Sequence, residues 1–300
     1  MNNLQIFAMT IGAAVIGIGS AMLYKSQNYT VARSEPNQAI SRDINEIDKQ
    51  MLVNRTHRLF DQGHRKLPFM KTVSYTHNVH WMPSRSALIS DYAKYYKLSN
   101  QFLSRSLNSG KTEELYRKIT QGDSFNVIDE NRKIEFNLVC DLSLRYLHLY
   151  AVDKDLGERY LLRVYKVAVG AVDPLQASGS TTPLGNYKLS SRVGIFKPGE
   201  TQKISGRTLE MIQLYGTRYI PFGRKGQSCA IQGNPWHMTA DTDELQEVRT
   251  GIGKYSTEGN IQMNAEDVEE LFSIVTCRPT TIQIVKTFSE AKLPGREVDL

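Results

Sequence analysis

A cysteine and a histidine that lie close together in the C-terminal half of the chain are the first candidates for chemistry. Cys229 and His237 could form a nucleophilic pair in which the imidazole generates a thiolate that attacks a carbonyl carbon. This requires a fold that brings the two side chains into contact. The run from Ser228 to Gly233 is typical of a strand, where a cysteine serves as a small core hydrophobe. Both interpretations are compatible with the sequence.

Three carboxylates in the same region offer a second kind of chemistry. Glu258 together with Asp241 or Asp243 could supply the paired carboxyl groups that hydrolyse a glycan. Carboxylates scattered over loops more often face solvent, so a solvated surface is the alternative interpretation.

Metal ions and cofactors have no sequence signature here. The chain has three cysteines, Cys140, Cys229 and Cys277, without a C-x-x-C pair or a His/Cys cluster at metal-binding spacing. Gly-rich phosphate loops are absent as well. We therefore expect no metal and no cofactor. An odd number of cysteines leaves at least one thiol free, and a bridge between Cys229 and Cys277 is conceivable in an oxidising compartment.

The elements that would position these residues are strands after Lys133. Alternating apolar and β-branched residues predict strands within 136–141, 145–151, 160–170, 186–189 and 282–285. No strand–helix–strand alternation is present, which favours a mostly antiparallel assembly over a doubly wound parallel sheet. One helix is predicted near the end of this region. Asn264 would cap it, and its buried stripe comprises Val268, Leu271, Phe272 and Val275.

Three segments together resemble the YkuD-type L,D-transpeptidases. Residues 139–150 with 165–170 are similar to the opening hairpin of the family, and Thr-Pro-Leu-Gly-Asn-Tyr at 182–187 is similar to its Pro-fixed turn. Ile-Gln-Gly-Asn at 231–234 and Ser-Thr-Glu-Gly-Asn-Ile-Gln-Met at 256–263 occupy the places of the two active-site motifs. The resemblance extends over about residues 133–286. It implies a ligand cleft formed by Thr182, Pro183, Gly185, Gly233 and Gly259.

The sequence departs from this family at the residues that perform catalysis. The resemblance places the nucleophilic cysteine at Asn260, its activating histidine at Glu258, the following arginine at Gln262 and the histidine of the first motif at Gln232. An asparagine amide is not a useful nucleophile, and a glutamine cannot accept the proton. We therefore expect that the fold is kept while the reaction is lost.

Three hypotheses for function follow from the resemblance. The leading one is a catalytically degenerate L,D-transpeptidase-like domain that binds the peptide stems or the glycan of peptidoglycan, or acts as a scaffold for envelope proteins. The second is an active, divergent L,D-transpeptidase or carboxypeptidase that uses Cys229 with His237. The third is a structural subunit of an envelope assembly. Residues 236–250 form an insertion relative to the family and could be a lid or a partner surface.

The N-terminus predicts a membrane anchor. The run from Leu4 to Tyr24 has no charge and is long enough to cross a bilayer as a helix. No basic region precedes it, which favours an uncleaved anchor over a signal peptide, although residues 19–21 resemble a cleavage site. Lys25 and Arg33 favour a cytoplasmic C-terminal side. The resemblance implies the opposite: a single-pass protein of the bacterial inner membrane with its C-terminal domains in the periplasm.

The segment between the anchor and the strands is predicted to be helical. Residues 38–61 have apolar residues at helical spacing and predict an amphipathic stalk. Residues 86–107 predict two short helices separated by Ser99 and Asn100, followed by a turn at Gly122 and a strand. This order resembles a LysM peptidoglycan-binding module, although the usual opening Gly-Asp-Thr-Leu is replaced at 84–87. An unrelated small helical domain is the alternative.

The predicted fold class is α+β: a mostly antiparallel L,D-transpeptidase-like domain, a small LysM-like domain and one transmembrane helix. The boundaries are an anchor at 4–24, a stalk at 25–72, a LysM-like module at 73–130, the main domain at 131–287 and a tail at 288–300. The net charge of +6 has its excess in the N-terminal half, which suits an anionic polymer or a lipid surface. No dense basic run or nucleic-acid motif is present, so we expect no nucleic-acid partner.

Overall fold

A computed structural model describes residues 53–63, 66–75, 87–112, 114, 116–204, 206–223, 229–239 and 244–300. The predicted anchor at 4–24 and most of the predicted stalk lie outside these residues. Over the described part of the chain, no helix is both long enough and apolar enough to span a membrane.

The described chain is rich in strands and has few helices. The strands are β1 (Met70–Ser74), β2 (Ser124–Ile128), β3 (Ile134–Asp141), β4 (Tyr146–Asp153), β5 (Glu158–Lys166), β6 (Val169–Gly170), β7 (Gly185–Lys188), β8 (Gly194–Ile195), β9 (Thr201–Ile204), β10 (Arg207–Glu210), β11 (Arg218–Phe222), β12 (Cys229–Gly233), β13 (Trp236–Met238), β14 (Leu245–Glu247), β15 (Tyr255–Thr257), β16 (Ile261–Met263), β17 (Thr280–Val285) and β18 (Arg296–Glu297). The α-helices are α1 (His57–Phe60), α2 (Ile89–Tyr95), α3 (Asn100–Arg105), α4 (Met211–Tyr215) and α5 (Ala265–Val275), and a 3₁₀ turn spans Phe288–Glu290.

Two sheets form the body of the main domain. The larger has the strand order β18-β5-β4-β3-β17-β7, and the smaller has the order β16-β12-β11-β8. The meander β3-β4-β5 is antiparallel, as the alternating segments predict, while β17 joins β3 and β18 joins β5 in parallel. β12 and β16 are also parallel. The expectation of a mostly antiparallel, strand-rich fold is therefore confirmed, with parallel pairs where later parts of the chain return to strands already formed.

Helix α5 connects the two sheets, because it follows β16 in the smaller sheet and precedes β17 in the larger one. The four residues of its predicted apolar stripe are all buried, at 5% exposure or less. Burying a side chain of this size stabilises the fold by about 1.5–3 kcal/mol. The helix is thus held by its apolar face, as the sequence predicts.

The N-terminal part has the order β1, α2, α3, β2, with β1 and β2 paired antiparallel. Ser99 lies at the N-cap of α3, and its hydroxyl accepts a hydrogen bond from the Phe102 amide at 3.1 Å. Gly122 has a φ of 92°, which the turn before β2 requires. The two short helices, the cap between them, the turn and the strand are therefore confirmed.

The predicted stalk helix is wrong in its described C-terminal part. Instead of continuing a helix from residue 38 to about 61, residues 53–56 run along the edge of β5. The Arg55 amide donates to the Leu162 carbonyl at 2.7 Å, and the Val164 amide donates to the Val53 carbonyl at 2.9 Å. Only α1 is helical here. The helical spacing of apolar residues in this segment does not reveal that β5 has an unpaired edge. The backbone groups of that edge can pair with residues 53–56, which then do not form a helix.

One continuous hydrophobic core joins the N-terminal part to the main domain. The Phe69 and Tyr160 rings pack with centroids 5.7 Å apart. The Ser99 hydroxyl donates to the Ser273 carbonyl of α5 at 2.8 Å. The N-terminal part is therefore docked on α5.

All three cysteines are free, so the Cys229–Cys277 bridge is not formed.

Candidate functional site

The two motif segments lie side by side because β12 and β16 pair in parallel. Ile231 lies opposite Ile261, and Gln232 lies opposite Gln262. Asn260 immediately precedes β16, so its side chain can reach across to β12. The pairing brings together the two segments that the resemblance identified as active-site motifs.

Asn260 and Gln232 form a hydrogen-bonded pair of amides. The Asn260 Nδ2 donates to Gln232 Oε1 at 2.9 Å, and Asn260 Oδ1 accepts from the Ala230 amide at 3.0 Å. Gln232 is 3% exposed, and its Nε2 donates to the Leu214 carbonyl at 3.4 Å. The positions predicted for the nucleophile and for the histidine of the first motif are therefore in contact. Their polar atoms bind to one another and to the backbone.

The loop before Asn260 is fixed by hydrogen bonds from two threonines. The Thr257 hydroxyl donates to the Asn260 carbonyl at 2.5 Å and accepts from the Gly259 amide at 3.2 Å. The Thr182 hydroxyl donates to the Gly259 carbonyl at 3.1 Å and accepts from the Gly170 amide at 2.8 Å. Gly259 has a φ of 132°, which L side chains rarely adopt. The Thr-Pro turn thus clamps the second motif.

The predicted cleft residues differ in exposure. Thr182, Gly233 and Gly259 are buried, whereas Pro183 and Gly185 are half-buried. The three buried residues shape the framework, and the other two keep part of their surface exposed. Their role in binding a ligand stays a prediction.

Glu258 and Gln262 are outside the amide pair. Glu258 is exposed, and among the described residues its carboxylate has no hydrogen bond or ion pair. Gln262 is half-buried, and its backbone exchanges two hydrogen bonds of 2.9 Å with Ala168. Neither side chain supplies an imidazole or a guanidinium.

The alternative nucleophile Cys229 lies at the opposite end of β12 from His237. Cys229 opens the strand, pairs with Phe222 and is half-buried. His237 is exposed in β13, beyond the last residue of β12. A five-residue strand spans roughly 13 Å, so Cys229 and His237 are separated by at least the length of β12. Burial raises the pKa of the Cys229 thiol, which disfavours the thiolate.

Asp241 and Asp243, the proposed partners of Glu258, lie outside the described residues.

The insertion after the first motif is a β-hairpin that the sequence did not predict. β13 and β14 pair antiparallel. Glu247 in β14 has a side chain that is 6% exposed, and its Oε1 accepts from the Ala265 amide at 2.7 Å and from Asn234 Nδ2 at 3.0 Å. Its Oε2 accepts from Arg249 Nε at 2.7 Å. The hairpin is thus attached to the first motif and to the start of α5.

The side chain that caps α5 is that of Glu247 and not that of the predicted Asn264. Asn264 occupies the N-cap position, but its side chain makes no capping hydrogen bond. Its Oδ1 instead accepts from Asn234 Nδ2 at 3.1 Å. A carboxylate at a helix N-terminus is favourable because it meets unpaired amides and the positive end of the helix dipole. The sequence indicates that such an acceptor is needed but not that a residue in a distant hairpin provides it.

A cluster of charges on the outer face of α5 was also missed. Arg163 Nη1 contacts Glu270 Oε1 at 2.6 Å, and its Nη2 contacts Asp267 Oδ1 at 2.6 Å. The Tyr165 hydroxyl donates to Glu270 at 2.9 Å, and the Thr56 hydroxyl donates to the other Glu270 oxygen at 3.1 Å. Burial raises the pKa of Asp267, although Arg163 opposes this effect. The partners come from three separate segments, so the cluster fastens β5, α5 and the N-terminal segment together.

Among the residues that the structure describes, no group of three or more His, Cys, Asp and Glu side chains could hold a metal ion. The polar side chains that the two motifs bring into contact are the neutral amides of Asn260 and Gln232.

The comparisons with known proteins identify the family. The model of the L,D-transpeptidase catalytic domain, YkuD, matches residues 136–285. The chain therefore belongs to the YkuD L,D-transpeptidase family. None of the curated proteins matches it.

Three solved structures are similar to part of this chain. The helical cell shape determining protein Pgp2 from Campylobacter jejuni is 16% identical over 55% of this chain and 51% of its own, with a TM-score of 0.36. Bd1075 from Bdellovibrio bacteriovorus is 14% identical over 51% of this chain and 48% of its own, with a TM-score of 0.35. L,D-transpeptidase 1 from Mycobacterium tuberculosis is 16% identical over 55% of this chain and 68% of its own, with a TM-score of 0.27. The chain spans about half the length of the first two.

Proposed function

We propose that this protein is a membrane-anchored protein of the bacterial cell envelope whose L,D-transpeptidase-like domain binds peptidoglycan without catalysing acyl transfer. The observation behind this proposal is the hydrogen bond between Asn260 and Gln232 at 2.9 Å. It joins the position of the family nucleophile to a position where the family has a histidine.

The amide pair is chemically unsuited to the reaction of the family. Acyl transfer needs a thiolate and a base that takes its proton. The Asn260 Nδ2 lacks a nucleophilic lone pair, and its hydrogen bond to Gln232 keeps it inside the protein. Loss of a nucleophile and base that act as a unit costs on the order of 10⁶ in rate.

The hydrogen-bonded framework around the second motif supports a binding role. Thr182, Thr257 and Gly259 keep the second motif in a fixed conformation although no catalytic group depends on it. The family resemblance makes the peptide stems or the glycan of peptidoglycan the expected ligand. A scaffold for other envelope proteins would use the same fixed surface.

The N-terminal half provides the localisation in this proposal. The apolar run from Leu4 to Tyr24 would anchor the chain in the inner membrane with the C-terminal domains in the periplasm. The β1-α2-α3-β2 unit is proposed to be a LysM-like wall-binding module, since its two helices and final strand have the order on which that resemblance rests.

Co-sedimentation of the detergent-solubilised full-length protein with purified peptidoglycan sacculi tests wall binding. We expect the protein to pellet with sacculi and to stay in the supernatant without them. A family member with intact motifs serves as the positive control. If the full-length protein stays in the supernatant while the control pellets, wall binding is wrong and a structural envelope subunit becomes the better interpretation.

A further inference from the structure

A polar groove lies where the N-terminal segment, the end of α3 and helix α5 meet. Its volume is about 650 Å³, within the range of about 300–1,000 Å³ that is common for ligand pockets. Its walls come from residues 54–63, from residues 105–111 and from Glu270. None of the residues in the amide pair lines it. Junctions between structural units are a preferred place for ligand sites.

The walls of this groove are fixed by internal hydrogen bonds. Both carboxylate oxygens of Glu270 are occupied by Arg163, Tyr165 and Thr56. Gln62 Oε1 accepts from the Ser124 hydroxyl at 2.6 Å, and Gln62 Nε2 donates to the Ser106 carbonyl at 3.2 Å. A ligand would therefore meet a preformed surface and would not have to order it.

Two side chains at the groove have hydrogen-bond donors in excess. The Arg105 side chain is 18% exposed, and within the described residues its guanidinium has one ionic contact, to Glu269 at 3.7 Å, which is too long for a hydrogen bond. Asn54 is exposed, and no described group accepts a hydrogen bond from its Nδ2. A guanidinium carries five N–H donors and an amide nitrogen carries two. The spare donors of Arg105 and Asn54 can therefore pair with acceptors that a ligand brings.

We propose that this groove binds an amide-bearing saccharide–peptide with a free carboxylate, the chemistry of a peptidoglycan fragment. Arg105 pairs with the carboxylate through two parallel N–H bonds, the geometry that a guanidinium favours. Asn54 donates to a carbonyl of an acetamido group or a peptide bond, and Phe60 and Leu107 supply the apolar part of the lining. This inference rests on the proposed wall binding and places it away from the amide pair.

Calorimetric titration of the full-length protein tests this assignment. The titrants are a soluble disaccharide tetrapeptide from peptidoglycan and a neutral oligomer of N-acetylglucosamine. We expect the Arg105→Gln variant to bind the disaccharide tetrapeptide at least about tenfold more weakly than the wild type, because a charged hydrogen-bond pair is lost. Asn54→Ala, a change at an exposed residue, should weaken binding about threefold or more. Arg207→Gln, at an exposed arginine of β10 outside the groove, should bind like the wild type.

The outcomes separate this inference from the proposed function. Equal affinity of the wild type, Arg105→Gln and Asn54→Ala for the disaccharide tetrapeptide overturns the groove assignment while wall binding stands. Equal affinity of the wild type for the neutral oligomer overturns carboxylate recognition. Failure of the wild type both to bind the disaccharide tetrapeptide and to pellet with sacculi overturns wall binding itself. Weak binding by Arg105→Gln supports the groove only if its melting temperature matches that of the wild type. If the melting temperature of Arg105→Gln differs from that of the wild type, the affinity of Asn54→Ala decides whether the groove assignment stands.

Discussion

The Asn260 side chain ties the loop before β16 to β12, since its Nδ2 donates to Gln232 Oε1 at 2.9 Å and its Oδ1 accepts from the Ala230 amide at 3.0 Å. Asn260→Ala would leave the Ala230 amide and the side-chain oxygen Oε1 of Gln232 without these partners. A buried polar group that loses its partner costs about 1–3 kcal/mol. We therefore predict that Asn260→Ala lowers the free energy of unfolding by about 1–3 kcal/mol, measured in urea.

The control for this prediction is Asn186→Ala, which removes the amide of an exposed residue in β7. It should change the free energy of unfolding by no more than about 0.5 kcal/mol. Equal stability of the Asn260→Ala and Asn186→Ala proteins would show that the Asn260 side chain does not hold the loop before β16 to β12.

Glu247→Ala should destabilise the protein by about 2 kcal/mol. The carboxylate caps the Ala265 amide at 2.7 Å, and it also accepts from Asn234 and Arg249. Glu266→Ala is the matched control, because its side chain is 84% exposed in the first turn of the same helix. That change should cost at most about 0.5 kcal/mol. Urea unfolding of both variants measures the difference, and similar losses would refute the capping role of Glu247.

Glu270→Gln should lower the free energy of unfolding by about 2 kcal/mol or more. The change removes the charge that compensates the half-buried Arg163, which then keeps only its ion pair with Asp267. Glu135→Gln is the control: Glu135 pairs with Lys154 at 3.3 Å, and both side chains are 45% exposed. A surface pair of this kind contributes about 0–1 kcal/mol. If the two variants lose equal stability, the charge cluster does not fasten α5 to β5.

Acidification should destabilise the protein through His148. Burial lowers the pKa of His148 below its ordinary value, and the ring packs on Phe288 with centroids 4.4 Å apart. The unfolded chain therefore binds a proton more readily than the folded chain does. This contribution to stability is fully present above a pH of about 6.5 and is lost as the pH falls through the folded-state pKa.

The pH dependence can be measured as the change in melting temperature between pH 7 and pH 5. We expect the His148→Gln protein to lose less stability over this interval than the wild type. His237→Gln, in which an exposed histidine is removed, should behave like the wild type. A His148→Gln protein whose melting temperature falls as steeply as that of the wild type would exclude His148 as the cause.

Local patterns predicted the elements that depend on local physics. Alternating residues indicated β3, β4, β5, β7 and β17, and the 3.6-residue period with its buried stripe indicated α5. Ser99 was identifiable as a cap because serine is a preferred residue at a helix N-cap, and its hydroxyl accepts a hydrogen bond from the amide three residues later. The resemblance assigned Gln232 and Asn260 to the two active-site motifs, whereas no periodicity in the chain shows that the two side chains are in contact.

Features built from distant segments were not predictable in the same way. Nothing near Glu247 in the sequence indicates that it caps Ala265, because the contact depends on how the hairpin folds back. Likewise, the apolar period of residues 38–61 gave no sign that Asn54 would bridge to Arg163 at the edge of β5. Such contacts depend on which backbone groups and charges remain unpaired after the sheets form.

Intact-mass spectrometry of the full-length protein with tetrapeptide muropeptides tests the central claim most directly, provided that the muropeptides are analysed as well. The proposed loss of acyl transfer predicts no acyl adduct and unchanged muropeptides under conditions where a family member with intact motifs reacts. An adduct on Cys229, or loss of the terminal D-alanine from the muropeptides, would contradict the claim and identify a transpeptidase with a relocated nucleophile.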